Sequence, residues 1–115
     1  MFRFENLEIW KLAVEYASEI YKLTTTFPRE ETFGLVSQLR RASVSVSSNI
    51  AEGSGASTIK DYKNYLDIAI KSTLETSSLL YIATTQNYLD EKTRLKFYED
   101  AEKQIRKIRA FKKKL

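Results

Sequence analysis

The chain has 115 residues, of which 43% are hydrophobic and 30% charged, and this length fits one domain with a hydrophobic core of its own. It contains neither Cys nor His, which excludes disulfides, thiolate metal sites and the commonest catalytic bases and nucleophiles. The net charge of +4 is unevenly placed, because residues 103–115 carry +7 and the first 102 residues therefore carry −3.

Turn-forming residues divide the chain into four long segments. The strongest turn signals are Phe27-Pro28 and Gly53-Ser54-Gly55, and a weaker one runs from Gln86 to Asp90. Apolar residues recur at helical spacing between these turns, which predicts helices over residues 4–25, 29–52, 58–86 and 90–112. Their similar lengths and short connections favour an all-α, up-down antiparallel four-helix bundle made by a single domain, residues 1–115.

Neither a membrane span nor a targeting segment is evident. No run of 18 apolar residues occurs, and the first residues lack the charged-then-apolar pattern of a signal peptide. We therefore expect a cytoplasmic protein with no membrane contact.

The first predicted helix has two apolar stripes instead of one. One stripe begins at Ile9 and ends at Phe27. Both stripes can belong to one wide surface that faces the core, or the second stripe can contact another subunit. The second stripe, our candidate oligomer interface, consists of Leu7, Trp10, Val14, Ala17 and Tyr21.

The second predicted helix begins after Pro28 and contains a serine-rich run. Residues 43–47 alternate Ser and Val with the period of a strand, but no other strand candidate exists to pair with them, so a helix is the better interpretation. The small side chains of this run allow a neighbouring helix to approach closely. A catalytic serine is disfavoured, because the chain has no His base and no nucleophile-elbow motif.

Polar residues form a ridge along the second helix. They include both signs of charge and an amide, which suits a hydrogen-bond network between helices or subunits and, less readily, a ligand site. In the third helix, Glu75 lies on an otherwise apolar line, and a buried carboxylate needs a partner. We predict that it bonds Arg40 or Arg41. The predicted network comprises Arg40, Arg41, Ser45, Asn49, Glu52 and Glu75.

The fourth predicted helix ends in a cluster of basic residues without an acid among them. One or two cations in the last turn would complement the helix dipole, but the cluster is larger than that role requires. Contact with a polyanion such as RNA or DNA is the alternative. The candidate nucleic-acid-binding residues are Lys103, Arg106, Lys107, Arg109, Lys112, Lys113 and Lys114.

No motif in the sequence indicates catalysis. Gly53-Ser54-Gly55 lacks the preceding strand and the following Gly-Lys-Ser/Thr of a phosphate-binding loop, and the Glu-x-x-His motif of di-iron bundles is absent. Adjacent acids such as Glu30 and Glu31 are typical of solvated helix surfaces. We therefore expect no enzymatic activity, no cofactor and no metal ion.

One group of residues is specific enough to indicate a family. Its centre is Gln38-Leu39-Arg40-Arg41-Ala42, followed by Ser45 and by Asn49-Ile50-Ala51-Glu52-Gly53. Phe4, Leu7, Trp10, Phe27-Pro28, Glu31, Gly34-Leu35, Ile68-Ala69, Ser72 and Glu75 extend the pattern in both directions. Over nearly its whole length the chain resembles the four helix bundle proteins, also called 23S rRNA intervening sequence proteins. It departs from them mildly, for example at Lys71, where Gly is frequent.

The resemblance implies an assembly and a class of partner. Family members associate into a ring-shaped homopentamer, and some are encoded within insertions of large-subunit ribosomal RNA genes. A related group serves as accessory proteins of diversity-generating retroelements, where a basic ring contacts nucleic acid and reverse transcriptase. We therefore predict a non-enzymatic homopentamer that binds structured RNA or another nucleic acid through its basic C-terminal helix. The alternative is an oligomeric scaffold that binds a protein partner and has no nucleic-acid role.

Overall fold

The computed structural model describes all residues, 1–115, and consists of four α-helices and two short 3₁₀ turns without any strand. The predicted all-α class and the four helices are thus confirmed. The 3₁₀ turns span Arg3–Asn6 and Arg29–Glu31. The helices are α1 (Glu8–Thr24), α2 (Leu35–Ser54), α3 (Ile59–Thr85) and α4 (Glu91–Lys113).

The helices form a four-sided bundle in which each contacts two neighbours. α1 packs against α2 and α4, α3 packs against the same two helices, and the diagonal pairs are not in contact. We name the four sides by the helices that border them, so the α1/α2 face lies opposite the α3/α4 face. The contact between α2 and α3 is the most extensive of the four, and that between α1 and α4 is the least.

The second helix begins six residues later than predicted. Residues 29–31 form a separate 3₁₀ turn, and α2 starts at Leu35. The cause is Gly34, whose backbone angles of φ −110° and ψ −110° interrupt the helix. The Glu31 carboxylate accepts a hydrogen bond from the Leu35 N–H at 3.2 Å, so a side chain supplies the cap that the backbone lacks. The first helix likewise begins at Glu8 instead of residue 4, after the 3₁₀ turn Arg3–Asn6.

The third and fourth helices begin at capping residues. The Thr58 hydroxyl accepts a hydrogen bond from the Asp61 N–H at 3.1 Å, and the Asp90 carboxylate accepts one from the Thr93 N–H at 2.8 Å. These bonds satisfy backbone donors that the first turn of a helix leaves without partners. The hydrogen bonding with Thr93 lowers the pKa of Asp90.

The hydrophobic core is divided into two clusters by a polar layer. One cluster includes Ile20, Leu39 and Phe97, and the other includes Ile50 and Ile108. Between them along the helices lie five buried polar residues, Ser43, Ser72, Thr73, Thr76 and Gln104. Such a layer costs stability unless its groups are hydrogen-bonded.

The hydrogen bonds of this layer are incomplete. The Gln104 amide donates to the Thr73 hydroxyl at 3.0 Å, but the Gln104 carbonyl oxygen has no partner. The Tyr16 hydroxyl also lacks a partner of hydrogen-bonding geometry. Burial raises the pKa of Tyr16, and the nearby Ser77 hydroxyl partly offsets this effect.

Candidate nucleic-acid interface

The end of α4 is held firmly against the bundle. Ile108 is fully buried, and the Phe111 ring lies 5.8 Å from the Tyr62 ring of α3. Leu115 packs on the same core cluster. The basic residues therefore project from a rigid helix, and a ligand would not have to order a flexible tail.

Two of the seven predicted basic residues are occupied by ion pairs within the protomer. Lys107 Nζ lies 2.7 Å from Glu8 Oε1 of α1, and Lys112 Nζ lies 2.7 Å from Asp67 Oδ1 of α3. Both pairs join α4 to its neighbours. Lys107 also lowers the pKa of Glu8, first through the hydrogen bond and then through its charge.

Lys103 lies among carboxylates. It lines a groove between α1 and α4 together with Glu15 and Asp100, and its charge contributes to the lowered pKa of Glu8. Its positive charge is therefore partly neutralised by its surroundings.

The remaining four basic residues are exposed and form no ion pair. Spacings of three and four residues place Arg106, Arg109 and Lys113 on one outward side of α4, and Lys114 follows at the end of the helix. At about 1.5 Å per residue, Arg106 and Lys113 are separated by about 10 Å along the axis. This length corresponds to about three phosphates of one strand of a DNA duplex. We call the set Arg106, Arg109, Lys113 and Lys114 the basic strip.

The predicted polar network lies between α2 and α3. Arg41 Nη2 donates to Glu75 Oε2 at 2.7 Å, and the Ser45 and Ser72 hydroxyls are 2.9 Å apart. The Asn49 amide donates to the Ser45 carbonyl at 2.8 Å. The first two bonds join the two helices within one protomer, and the third lies within α2. Glu75, however, is not buried as its apolar neighbours suggested: the Arg41 and Glu75 side chains are 62% and 42% exposed.

Two residues assigned to this network lie outside it in the protomer. Arg40 contacts α1 instead: Nε donates to the Thr24 hydroxyl at 3.0 Å, and the guanidinium lies 4.5 Å from the centre of the Tyr21 ring. Glu52 is exposed and forms no ion pair. Arg40 and Arg41 are neighbours in the chain, but successive residues of an α-helix lie about 100° apart around its axis, so Arg40 reaches α1 and Arg41 reaches α3.

The candidate oligomer interface on α1 is only partly free. Val14 and Tyr21 are exposed, whereas Leu7 and Trp10 pack partly against the core. Ala17 is buried within the protomer, so it cannot supply much contact area to a second subunit. Val14 and Tyr21 are therefore the members that remain available.

The groove between α1 and α4 is not indicated by any motif in the sequence. It has a volume of about 300 Å³ and is lined by acidic and basic side chains, including Glu15, Glu19, Asp100 and Lys96. No group of three or more acidic residues lies close enough to hold a metal ion. None of the four helices is both long and apolar enough to cross a membrane.

Comparison with known families identifies the chain. The model of the 23S rRNA-intervening sequence protein family matches residues 5–110. The chain belongs to the 23S rRNA-intervening sequence protein family. The match to this family includes Arg106 and Arg109 of the basic strip and leaves Lys113 and Lys114 outside. The family resemblance inferred from the sequence is thus confirmed.

A solved structure supports the fold of this 23S rRNA-intervening sequence protein. The chain is similar to a protein of unknown function from the S23 ribosomal protein family of Bacteroides thetaiotaomicron, with a TM-score of 0.80 and 23% sequence identity. The similarity covers 91% of this chain and 98% of the other. Comparison with curated proteins gives no significant match.

Proposed function

We propose that this protein is a non-enzymatic homo-oligomer that binds structured RNA electrostatically through the end of α4. The observation that carries the proposal is the basic strip, whose four cations are exposed and have no carboxylate partner. Lysine and arginine side chains of this kind neutralise phosphates and release counterions, which supplies most of the affinity in sequence-independent binding.

Assembly into an oligomer would strengthen the positive electrostatic field of the basic strip. A single copy of the chain has a net charge of only +4, but symmetry repeats the strip once in each subunit. In the homopentamer that the family resemblance implies, five strips would act on one polyanion, and multivalent contact raises affinity well beyond that of one strip.

The decisive test compares two triple variants with the same change in charge. The first is Arg106→Gln/Arg109→Gln/Lys113→Gln, which removes most of the basic strip. The control is Arg29→Gln/Lys71→Gln/Lys92→Gln, in which three exposed cations without ion pairs are removed elsewhere. Affinity for a fluorescent RNA hairpin is measured by anisotropy over a series of salt concentrations.

The proposal predicts that only the strip variant loses affinity and salt dependence. The slope of log K against log salt should become shallower by about 0.7–0.9 for each phosphate that the variant no longer neutralises. Equal reductions of affinity in both variants would show that net charge alone attracts the RNA and would contradict a localised site.

A scaffold that binds a protein partner is the second candidate function. It is favoured by exposed apolar side chains, of which Phe33 is 96% accessible in the connection between α1 and α2. This candidate predicts an oligomer that ignores RNA and a protein contact that survives neutralisation of the basic strip.

A further inference from the structure

The groove between α1 and α4 lies at the loosest contact of the bundle. These two helices make the least extensive contact of any neighbouring pair, which leaves a volume of about 300 Å³ between them. Three carboxylates and two lysines line its walls, and Tyr16 and Gln104 form its buried floor. Small-molecule sites have volumes of about 300–1,000 Å³, so the groove is large enough for a small ligand.

The floor of the groove contains a hydrogen-bond acceptor that has no partner. Gln104 is 3% exposed, and its Nε2 donates to the Thr73 hydroxyl at 3.0 Å. This hydroxyl gives its only proton to the Ala69 carbonyl, so it can only accept from Gln104. The amide is thereby fixed with Nε2 towards α3 and Oε1 on the side of the groove, where Oε1 is buried without a partner. An acceptor left in this state costs stability until a donor binds it.

Tyr16 contributes a second unpaired polar atom to the same floor. The side chain is 5% exposed, and its hydroxyl has no partner of hydrogen-bonding geometry. Burial and, to a lesser degree, the charge of Asp100 raise the pKa of Tyr16, so the hydroxyl is protonated at neutral pH and lies near that carboxylate. The chain has three buried side-chain atoms without a hydrogen-bond partner, and two of them lie at this groove.

The walls of the groove place two carboxylates opposite each other. α1 and α4 are antiparallel, and the Glu8–Lys107 ion pair shows which residues are level. Glu15 is therefore level with about residue 100, because a rise of about 1.5 Å per residue applies to both helices. Neither Glu15 nor Asp100 forms an ion pair. Two carboxylates that face each other repel, and a cation between them would remove this cost.

The lysines of the groove leave this gap unfilled. Neither Lys96 nor Lys103 lies within ion-pairing distance of Glu15 or Asp100. The three acids of the groove outnumber its two lysines, so its lining carries a net negative charge. The acids do not lie close enough together to hold a metal ion, which favours a larger cation with hydrogen-bond donors of its own.

We propose that the groove binds a small organic cation through a primary ammonium group, such as that of an aliphatic diamine. An ammonium group has three N–H donors and no acceptor. The groove offers it acceptors only: the Gln104 carbonyl oxygen and the Tyr16 hydroxyl on the floor, and two carboxylates on the walls. Hydrogen bonds of a charged donor to such oxygens are stronger than those between neutral groups.

This site is a second binding function of the chain, because it uses no residue of the basic strip. It also gives a reason for Gln104 at a position where leucine would leave no unpaired oxygen. The buried acceptor costs stability in the free protein and is satisfied only when the cation binds.

Calorimetric titration with putrescine, a four-carbon aliphatic diamine, tests the site at fixed ionic strength and without RNA. The neutral counterpart is butanediol, in which hydroxyl groups replace both ammonium groups. Gln104→Leu removes the acceptor on the floor, and Asp100→Asn removes a charge from the wall. The matched control is Glu102→Gln, because Glu102 is an exposed α4 carboxylate without an ion pair that does not line the groove. Circular dichroism verifies that each variant is folded.

The wild type and Glu102→Gln should bind one putrescine per chain with the same Kd, and butanediol should not bind. Gln104→Leu and Asp100→Asn should each raise the Kd about tenfold or more, as expected for the loss of a hydrogen bond to a charged group. If putrescine does not bind, as when Lys96 or Lys103 fills the gap itself, the proposal is refuted. Equal weakening by Asp100→Asn and Glu102→Gln would also refute it, because net charge alone would then attract the diamine.

Discussion

Replacement of Gly53 by Ala tests how closely α2 and α3 approach. A methyl group at Gly53 would lie 2.9 Å from Tyr65 Cβ and 3.1 Å from Tyr62 Cδ1 of α3. Carbon atoms in contact are normally about 3.5–4.0 Å apart. The Tyr65 Cβ cannot rotate away, because it is fixed to the backbone. The two helices would therefore have to separate by about 0.5–1 Å in the most extensive contact of the bundle.

The expected net effect of Gly53→Ala is a loss of about 1–2 kcal/mol in the free energy of unfolding, because two opposing effects combine. Overpacking costs about 1–3 kcal/mol, and the higher helix propensity of Ala returns up to about 1 kcal/mol. For a chain of this size the loss lowers the Tm by about 4–10 °C. Thermal unfolding followed by circular dichroism, at one fixed protein concentration, measures it.

Gly55→Ala is the matched control for this substitution. Its added methyl group would lie 3.6 Å from the Glu52 carbonyl oxygen, an ordinary contact, and the residue has a φ of −98° that any amino acid adopts. We expect an unchanged or slightly higher Tm. Equal Tm values for the wild type and Gly53→Ala would refute the close approach of α2 to α3.

Three further predictions concern the polar layer, a helix cap and the surface ion pair. Gln104→Leu removes a buried carbonyl oxygen that has no partner, and the Thr73 hydroxyl still donates to the Ala69 carbonyl. Urea unfolding of this variant should therefore show a free energy of unfolding that is equal to that of the wild type or greater by up to about 1 kcal/mol. A large loss of stability would contradict this interpretation of the polar layer. Asp90 has a lowered pKa in the folded state. Its contribution to folding stability is therefore present above its ordinary pKa of 3.8 and is lost as the pH falls through the folded pKa. Asp90→Asn should flatten the acid limb of the curve of stability against pH in this window, and an unchanged limb would contradict the role of Asp90 as a helix cap. Arg41→Gln should lower the free energy of unfolding, measured in urea, by less than about 1 kcal/mol, because the Arg41–Glu75 pair is half-exposed. A loss above about 2 kcal/mol is on the order expected of a buried pair and would show that another subunit covers it.

Local signals are sufficient to predict the helices but not every boundary. Thr58 and Asp90, the residues at which the third and fourth helices are predicted to start, are the caps after which α3 and α4 begin. The predicted start of α2 is too early because Pro28 and the acids after it are typical of a helix N-terminus. The backbone angles of Gly34 instead delay the regular helix until Leu35, and a single glycine in a sequence does not reveal which angles it adopts.

The candidate site can be predicted only in outline, because its electrostatics depend on distant residues. The cluster of cations at the end of α4 is visible in the sequence, but Lys107 is paired with Glu8, 99 residues away, and Lys112 with Asp67. No local spacing indicates such pairs. Similarly, the apolar neighbours of Glu75 suggest burial, whereas its position near the edge of the α2–α3 contact leaves it half-exposed.

Light scattering of the purified protein, with and without a structured RNA hairpin across a salt series, tests assembly and RNA binding together. We expect a particle about five times the 13.4 kDa of one chain, which takes up RNA at low salt and releases it as the salt concentration rises. An oligomer whose mass is the same with and without RNA at low salt would contradict RNA binding, and a stable particle of 13.4 kDa would contradict the assembly.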